Sequence, residues 1–245
     1  MHVKGRVLLG VATAGLSACE TNHMHSAPAN ALHSYEAMIT EYLAQRAVEP
    51  QVIINTPDTL TTFNGTTIRW REYKNGVLII INGLVINTNE LTTFNNVWGN
   101  EPDSLSAATA VTQIKYYKSD NYELTGLTLM YQPCNGLACG VAYHILFDHQ
   151  TGQTSCFGRF STGLELDLYR FGDDYRPDYL GKTFHGRSHW LRDTTVFTYY
   201  QLADNGRFAL SKDPAGRAYY FKHMTSDSDS IPENFEEHWV AQIQQ

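Results

Sequence analysis

The first apolar run of this sequence, Val7 to Gly15, falls far short of the ~20 residues that a membrane-spanning helix needs. A transmembrane helix at the N-terminus is excluded. Positive charge is scarce, with 18 Lys and Arg against 25 Asp and Glu and a net charge of −7. A surface of that sign is a poor phosphate binder, which argues against nucleic acid. Basic clusters that anionic lipid head groups would attract are missing as well. The Gly-x-Ser-x-Gly elbow of serine hydrolases is absent, and His185-Gly-Arg-Ser-His189 lacks the glutamate of a metalloprotease helix. Asp227-Ser-Asp229 lacks the glycine and distal glutamate of a calcium loop. Cysteine is sparse, four in 245 residues, and no second close Cys/His pair is spaced to complete a zinc site.

What is present begins at the N-terminus. Lys4 and Arg6 form a small basic region, the apolar run follows, and Leu16-Ser17-Ala18-Cys19 closes it. That order is a processing signal. Leu16-Ser17-Ala18-Cys19 resembles the lipobox of bacterial lipoproteins, a resemblance confined to about the first twenty residues. It implies that Cys19 becomes the first mature residue and carries lipid. Several acyl chains, each contributing roughly 0.8 kcal/mol per buried methylene, make such anchoring long-lived. Glu20 follows the cysteine where the family's sorting rule reserves Asp for inner-membrane retention, so in a Gram-negative cell the implied address is the outer membrane, facing the periplasm or the cell surface.

Residues 1–18 removed as a signal peptide leave 227, and the loss of Lys4 and Arg6 takes the net charge from −7 to near −9. That length suffices for one substantial core. Cys134, Cys139 and Cys156 are an odd set in a compartment where disulfides persist. Asn135-Gly136 is turn chemistry that folds Cys134 back toward Cys139, so those two are expected to be bridged and Cys156 to be free and buried.

Residues 19–33 lack periodicity and read as a tether, with His23, His25 and His33 solvated. From Ser34, an N-cap, Tyr35, Met38, Ile39, Tyr42 and Leu43 form one apolar helical stripe, expected to pack on the protein's own sheet and to end at Pro50. Beyond Pro50 the pattern is β. Ile68 and Trp70 alternate with Arg69 and Arg71, and Lys74-Asn75-Gly76 turns the chain into Val77 to Ile81, a run apolar enough to predict burial on both faces. Asn55 to Asn64 weakly repeats in Asn87 to Asn95. Residues 99–110 are an alternative domain boundary.

Val111 to Lys118 and Leu124 to Tyr131 read as strands. Period-two geometry then puts Val141, Tyr143, Ile145 and Phe147 on one face with Cys156, Gly158 and Phe160. Leu164 to Arg170 alternates, Phe171 to Lys182 reads as a loop, and Val196 to His223 as a meander. Ser230-Ile-Pro-Glu233 resembles a capping box opening a last helix with Phe235, Trp239 and Ile243 on one side. The fold class expected is therefore α+β, predominantly antiparallel sheet with an N-terminal and a short C-terminal helix, residues 34–245 forming a single domain.

Chemistry-bearing groups are few. His144 and Asp148 share a strand face about 13 Å apart at ~3.3 Å per residue. His185 and His189 would be separated equally on a strand, and Ser188 or Ser161 could join a triad only by tertiary approach. Glu165, Asp167, Asp173, Asp174 and Asp178 could hydrolyse a glycoside only at a diagnostic separation, and read otherwise as a solvated acidic loop. The 15 Tyr, 4 Trp and 11 Phe build core, or a platform for glycan or peptide. The sequence thus points to a lipid-anchored envelope protein without a cofactor or metal, its role ligand or partner binding or envelope assembly. Its partners are the membrane through Cys19 and an envelope protein, peptide or glycan. The rival is an envelope hydrolase using His144, Asp148, His185 or His189.

Overall fold

A computed structural model describes residues 41–74, 76–94, 102, 104–105, 108–130, 141–160, 166–171, 174–185, 193–212, 216 and 220–225. In chain order the strands are β1 (Ala47–Val48), β2 (Val52–Asn55), β3 (Leu60–Phe63), β4 (Thr66–Tyr73), β5 (Gly76–Ile81) and β6 (Leu84–Asn87). There follow β7 (Ala110–Lys118), β8 (Glu123–Met130), β9 (Val141–Asp148) and β10 (Thr154–Phe160). The last are β11 (Leu168–Tyr169), β12 (Asp178–His185), β13 (Asp193–Leu202), β14 (Phe208–Leu210) and β15 (Tyr220–Thr225). Every pairing among them is antiparallel. Among the described residues, helix is confined to residues 41–44 and a 3-10 turn at Thr88–Glu90.

Three sheets stack. A front sheet has the order β3-β4-β5-β6, a central sheet β10-β9-β8-β7-β2, and a rear sheet β1-β11-β12-β13-β14 with β15 also on β13. Alternation along the central strands explains the stacking, because both of their faces are apolar. Ile114, Leu127, Leu129, Ile145 and Cys156 meet Ile68, Val77, Ile79 and Ile81 of the front sheet in one core. Tyr117, Leu124, Leu146 and Phe157 meet Leu168, Tyr179, Tyr200 and Leu202 of the rear sheet in a second. Each such fully buried aliphatic side chain contributes about 1.5–3 kcal/mol relative to exposure, so the central sheet is the element both cores share. Leu105 and Ala108, from the stretch read as an alternative boundary, are buried in the first core.

The chain is thus predominantly antiparallel β. As expected, Cys156, Gly158 and Phe160 fall on the face of Val141, Tyr143 and Ile145: the register sets Cys156 opposite Ile145, Gly158 opposite Tyr143 and Phe160 opposite Val141. Cys156 is free and buried, and burial pushes its thiol up to about 12. Cys134 and Cys139, like Cys19, lie outside the described residues.

Other expectations are corrected. Val77 to Ile81 is buried on one face only: Val77, Ile79 and Ile81 point inward while Leu78 and Ile80 are half-buried on the outer side. The doubly covered strands are β8 and β9, where Thr125, Gly126 and His144 sit inside as fully as their aliphatic neighbours. The stretch Phe171 to Lys182 is not all loop, since β12 begins at Asp178. β13 to β15 do not form a simple meander, because β15 returns to pair with β13 rather than with β14. The helical residues end at 44, before Pro50, because Ala47 and Val48 pair with β11 and the Arg170 N–H donates to Arg46 O at 2.8 Å. Copies of the weak repeat adopt different structures: Leu60–Phe63 is a strand, whereas Thr92 bridges Ser104 and the Phe94 N–H donates to Cys156 O at 2.8 Å.

Tyr42 and Leu43 are both buried, and Tyr42 packs on the rear sheet's outer side. Its ring stacks on Phe171 at 6.4 Å, Phe171 stacks on Tyr169 at 5.5 Å, and Tyr199 meets Phe171 edge-on at 5.0 Å. The Arg46 guanidinium lies 3.6 Å above the Tyr42 ring centre, a cation–π contact that closes the cap. Ser34 and the remainder of the expected first helix, and all of the expected last one, lie outside the described residues.

Candidate functional site

His144 projects from β9 toward the rear sheet. Its Nδ1 and the Tyr179 hydroxyl share a hydrogen bond of 2.9 Å in a buried setting, with the rings edge to face at 6.0 Å. Tyr179 stacks on Phe157 at 3.9 Å, so the imidazole is part of the rear core. Asp148 closes the β9–β10 turn instead: Oδ1 accepts the N–H groups of Gln150 at 2.7 Å and Thr151 at 3.3 Å. These bonds satisfy turn amides that would otherwise be orphaned. The two residues therefore serve different local structures. His185 ends β12 opposite Thr194; His189, Ser188 and Ser161 lie outside the described residues.

A second cluster sits at one end of the central sheet and was not singled out from the sequence. Thr125 Oγ1 and His149 Nε2 are 2.7 Å apart, the Tyr116 hydroxyl donates to Glu123 Oε1 at 2.7 Å, and Lys118 Nζ donates to Glu123 Oε2 at 2.9 Å. Hydrogen bonds from Lys118 and Tyr116 hold the Glu123 carboxyl below its ordinary range, and burial holds His149 below its own. Hydroxyl, imidazole and carboxylate are the ingredients of a triad. Thr125 is completely buried, however, so its hydroxyl offers no approach to a substrate. Turn position concealed this cluster, since His149 reaches Thr125 only once β8 and β9 pair.

The acidic group also separates. Asp167 forms an ion pair of 2.8 Å with Lys115, whose side chain is buried in the central sheet. Asp174 is exposed and accepts from the Gln201 side chain at 2.7 Å. Asp178 is not a solvated loop carboxylate: it is buried at the start of β12 and accepts the Phe171 N–H at 2.9 Å. Burial, aided by Asp174 and opposed by the Phe171 bond, raises its pKa to about 6. Glu165, Asp173, Asp227 and Asp229 lie outside the described residues. Among the described residues, no three His, Cys, Asp or Glu side chains gather closely enough to hold a metal ion.

The remaining candidate is a surface. Asn64-Gly65 and Asn82-Gly83 are two-residue turns with φ of 44°, 78°, 49° and 89°, the paired positive values of a type I′ hairpin that Asn-Gly adopts most readily. Those dipeptides were the available sequence signal for β3–β4 and β5–β6. The turns fix a register in which Leu60, Arg69, Ile80 and Val85 form one cross-strand row, and Arg71, Leu78 and Asn87 the next. Alternation directs Ile68 inward to full burial and leaves Arg69 and Arg71 exposed on the outer face. Leu60 is 51% and Val85 64% exposed. Among the described residues, neither arginine is in an ion pair. The face can bury aliphatic area against a partner while offering two cations.

No protein-family model matches the chain, and neither a curated protein nor a solved structure matches it significantly.

Proposed function

We propose that this protein is a lipid-anchored component of the cell envelope with a non-enzymatic, partner-binding role, fixed to the membrane through Cys19 and engaging its partner with the outer face of the front sheet. The observation that carries the binding role is the outer row Leu60–Arg69–Ile80–Val85, in which Leu60, Arg69 and Val85 are exposed and Ile80 half-buried. Exposed aliphatics gathered on a regular sheet face, rather than scattered singly, are what an interaction site requires. The anchor rests on the Leu16-Ser17-Ala18-Cys19 signal. To the same reading belong an N-terminal helix from Ser34, a last helix from Ser230, a Cys134–Cys139 bridge and an outer-membrane address. The hydrolase alternative finds little support in His144 and Asp148, whose hydrogen bonds lie in the rear core and the β9–β10 turn.

Two experiments test the halves separately. Cys19→Ala releases the protein from membranes on fractionation of the cells that make it; continued co-sedimentation refutes the anchor. A photo-crosslinking residue at Val85 yields a discrete adduct in those cells that is absent when it is placed at Asp120, in an exposed turn of the central sheet. Absence of any adduct from Val85 refutes the partner-binding role.

A further inference from the structure

Resting on that partner-binding reading, we infer that the occupant of the front sheet's outer face is an acidic, amphipathic helix of another protein. Cations predominate on the face. Arg69 and Arg71 project from it in a chain whose net charge is −7, the alternation of β4 places Glu72 on the opposite side, and Glu90 at the β6 edge accepts a hydrogen bond from the Asn87 side chain. Arg69, exposed in a row with Leu60, Ile80 and Val85, and Arg71, in the next row with Leu78, select a partner that carries carboxylates beside an apolar stripe.

Dimensions favour a helix. Four strands at ~4.8 Å spacing leave about 14 Å between the outer two, which fits one helix of ~10–12 Å diameter. Arg69 and Arg71, two residues apart on a strand, are separated by ~6.8 Å, and acids at i and i+4 of a helix present Cβ atoms about 5–6 Å apart. The backbone groups of β4 and β5 are used on both edges by their neighbours, so an extended segment lying on this face would find no main-chain partners, whereas a helix satisfies its own. The rear sheet takes helical residues 41–44 on its outer side in the same manner.

A lipid surface is the weaker occupant. Two arginines give only about 1 kcal/mol each toward an anionic bilayer.

The test combines the Val85 crosslinker with charge reversal in the full chain. Arg69→Glu/Arg71→Glu lowers the adduct yield at least about tenfold, Arg69→Lys/Arg71→Lys retains it, and mapping of the adduct finds Asp or Glu four residues apart beside an apolar stripe. Replacing those acids by Lys in the captured protein restores the adduct to the Glu variant. An adduct that persists at the original yield in the Glu variant, a basic or uncharged captured segment, or a phospholipid adduct overturns the inference while leaving a binding face in place. Failure of the native arginine protein to give any adduct overturns the underlying reading instead. Should the Glu variant expose the Cys156 thiol, and so be unfolded, Arg69→Gln/Arg71→Gln carries the same comparison with the same two outcomes.

Discussion

Replacing Asp178 by Asn should stabilise the protein near neutrality and do so in a pH-dependent way. The carboxyl is buried beneath the cap formed by Tyr42, Phe171 and Tyr199, and its pKa stands at about 6 against an ordinary value of 3.8. The folded state therefore binds this proton more tightly than the unfolded chain does, so the stabilisation is complete below about pH 4 and is lost as pH rises through about 6. A rise of about 2 units corresponds to roughly 3 kcal/mol of destabilisation by the ionised carboxylate at pH 8. Asn is neutral throughout, and its amide oxygen can still accept the Phe171 N–H. Urea titrations of both proteins between pH 4 and 8, followed by tryptophan fluorescence, give the difference in unfolding free energy. It should grow in favour of the Asp178→Asn variant by up to about 3 kcal/mol over that interval, most of it between pH 4 and 7. Other carboxylates titrate in both proteins and cancel, while the buried amide adds a constant offset. A difference that stays flat with pH, or falls as pH rises, would refute the claim that Asp178 is a buried acid.

Further expectations follow from other contacts. A Cβ at Gly126 would sit 2.7 Å from Leu166 Cδ2, so Gly126→Ala should lower stability by about 1–3 kcal/mol through overpacking; an unchanged urea midpoint would show that the rear core yields freely. Cys156 should resist iodoacetamide at pH 8 until the protein unfolds, because the thiol is buried and its pKa is about 12; rapid labelling of the native protein by intact mass would contradict the packing. Asp148→Ala removes an acceptor used by two turn amides and should cost about 1–3 kcal/mol, read as a drop in melting temperature; no drop would mean that water replaces the carboxylate.

The hairpins were legible because alternation and turn residues are local. Cys156 shares a face with Ile145 as period-two counting requires, and Ile68 and Arg69 take opposite faces. Alternation does not reveal how many layers cover a strand. Gly126 and His144 look like the solvent side of β8 and β9, yet Leu166 and Tyr179 of the rear layer cover them. Val77 to Ile81 misled in the other direction, since an apolar outer row served an exposed face rather than a second core. Asp178 was illegible for a related reason, its burial depending on Phe171, Tyr199 and a helical turn more than a hundred residues upstream. Of the candidate surface, Arg69 and Arg71 were visible as outward residues, but the alignment of Arg69 with Leu60 and Val85 required the two Asn-Gly turns to set the register.

The cap over the rear sheet also determines how tension would travel. A pull arriving from the N-terminal side meets Tyr42 wedged on Phe171, then the two-residue pairing of β1 with β11. These short ties belong to the rear sheet alone, with the long β7–β8–β9 ladders one layer deeper. The rear edge would yield first, like a mechanical fuse, and the front face would keep its shape while the strain was absorbed.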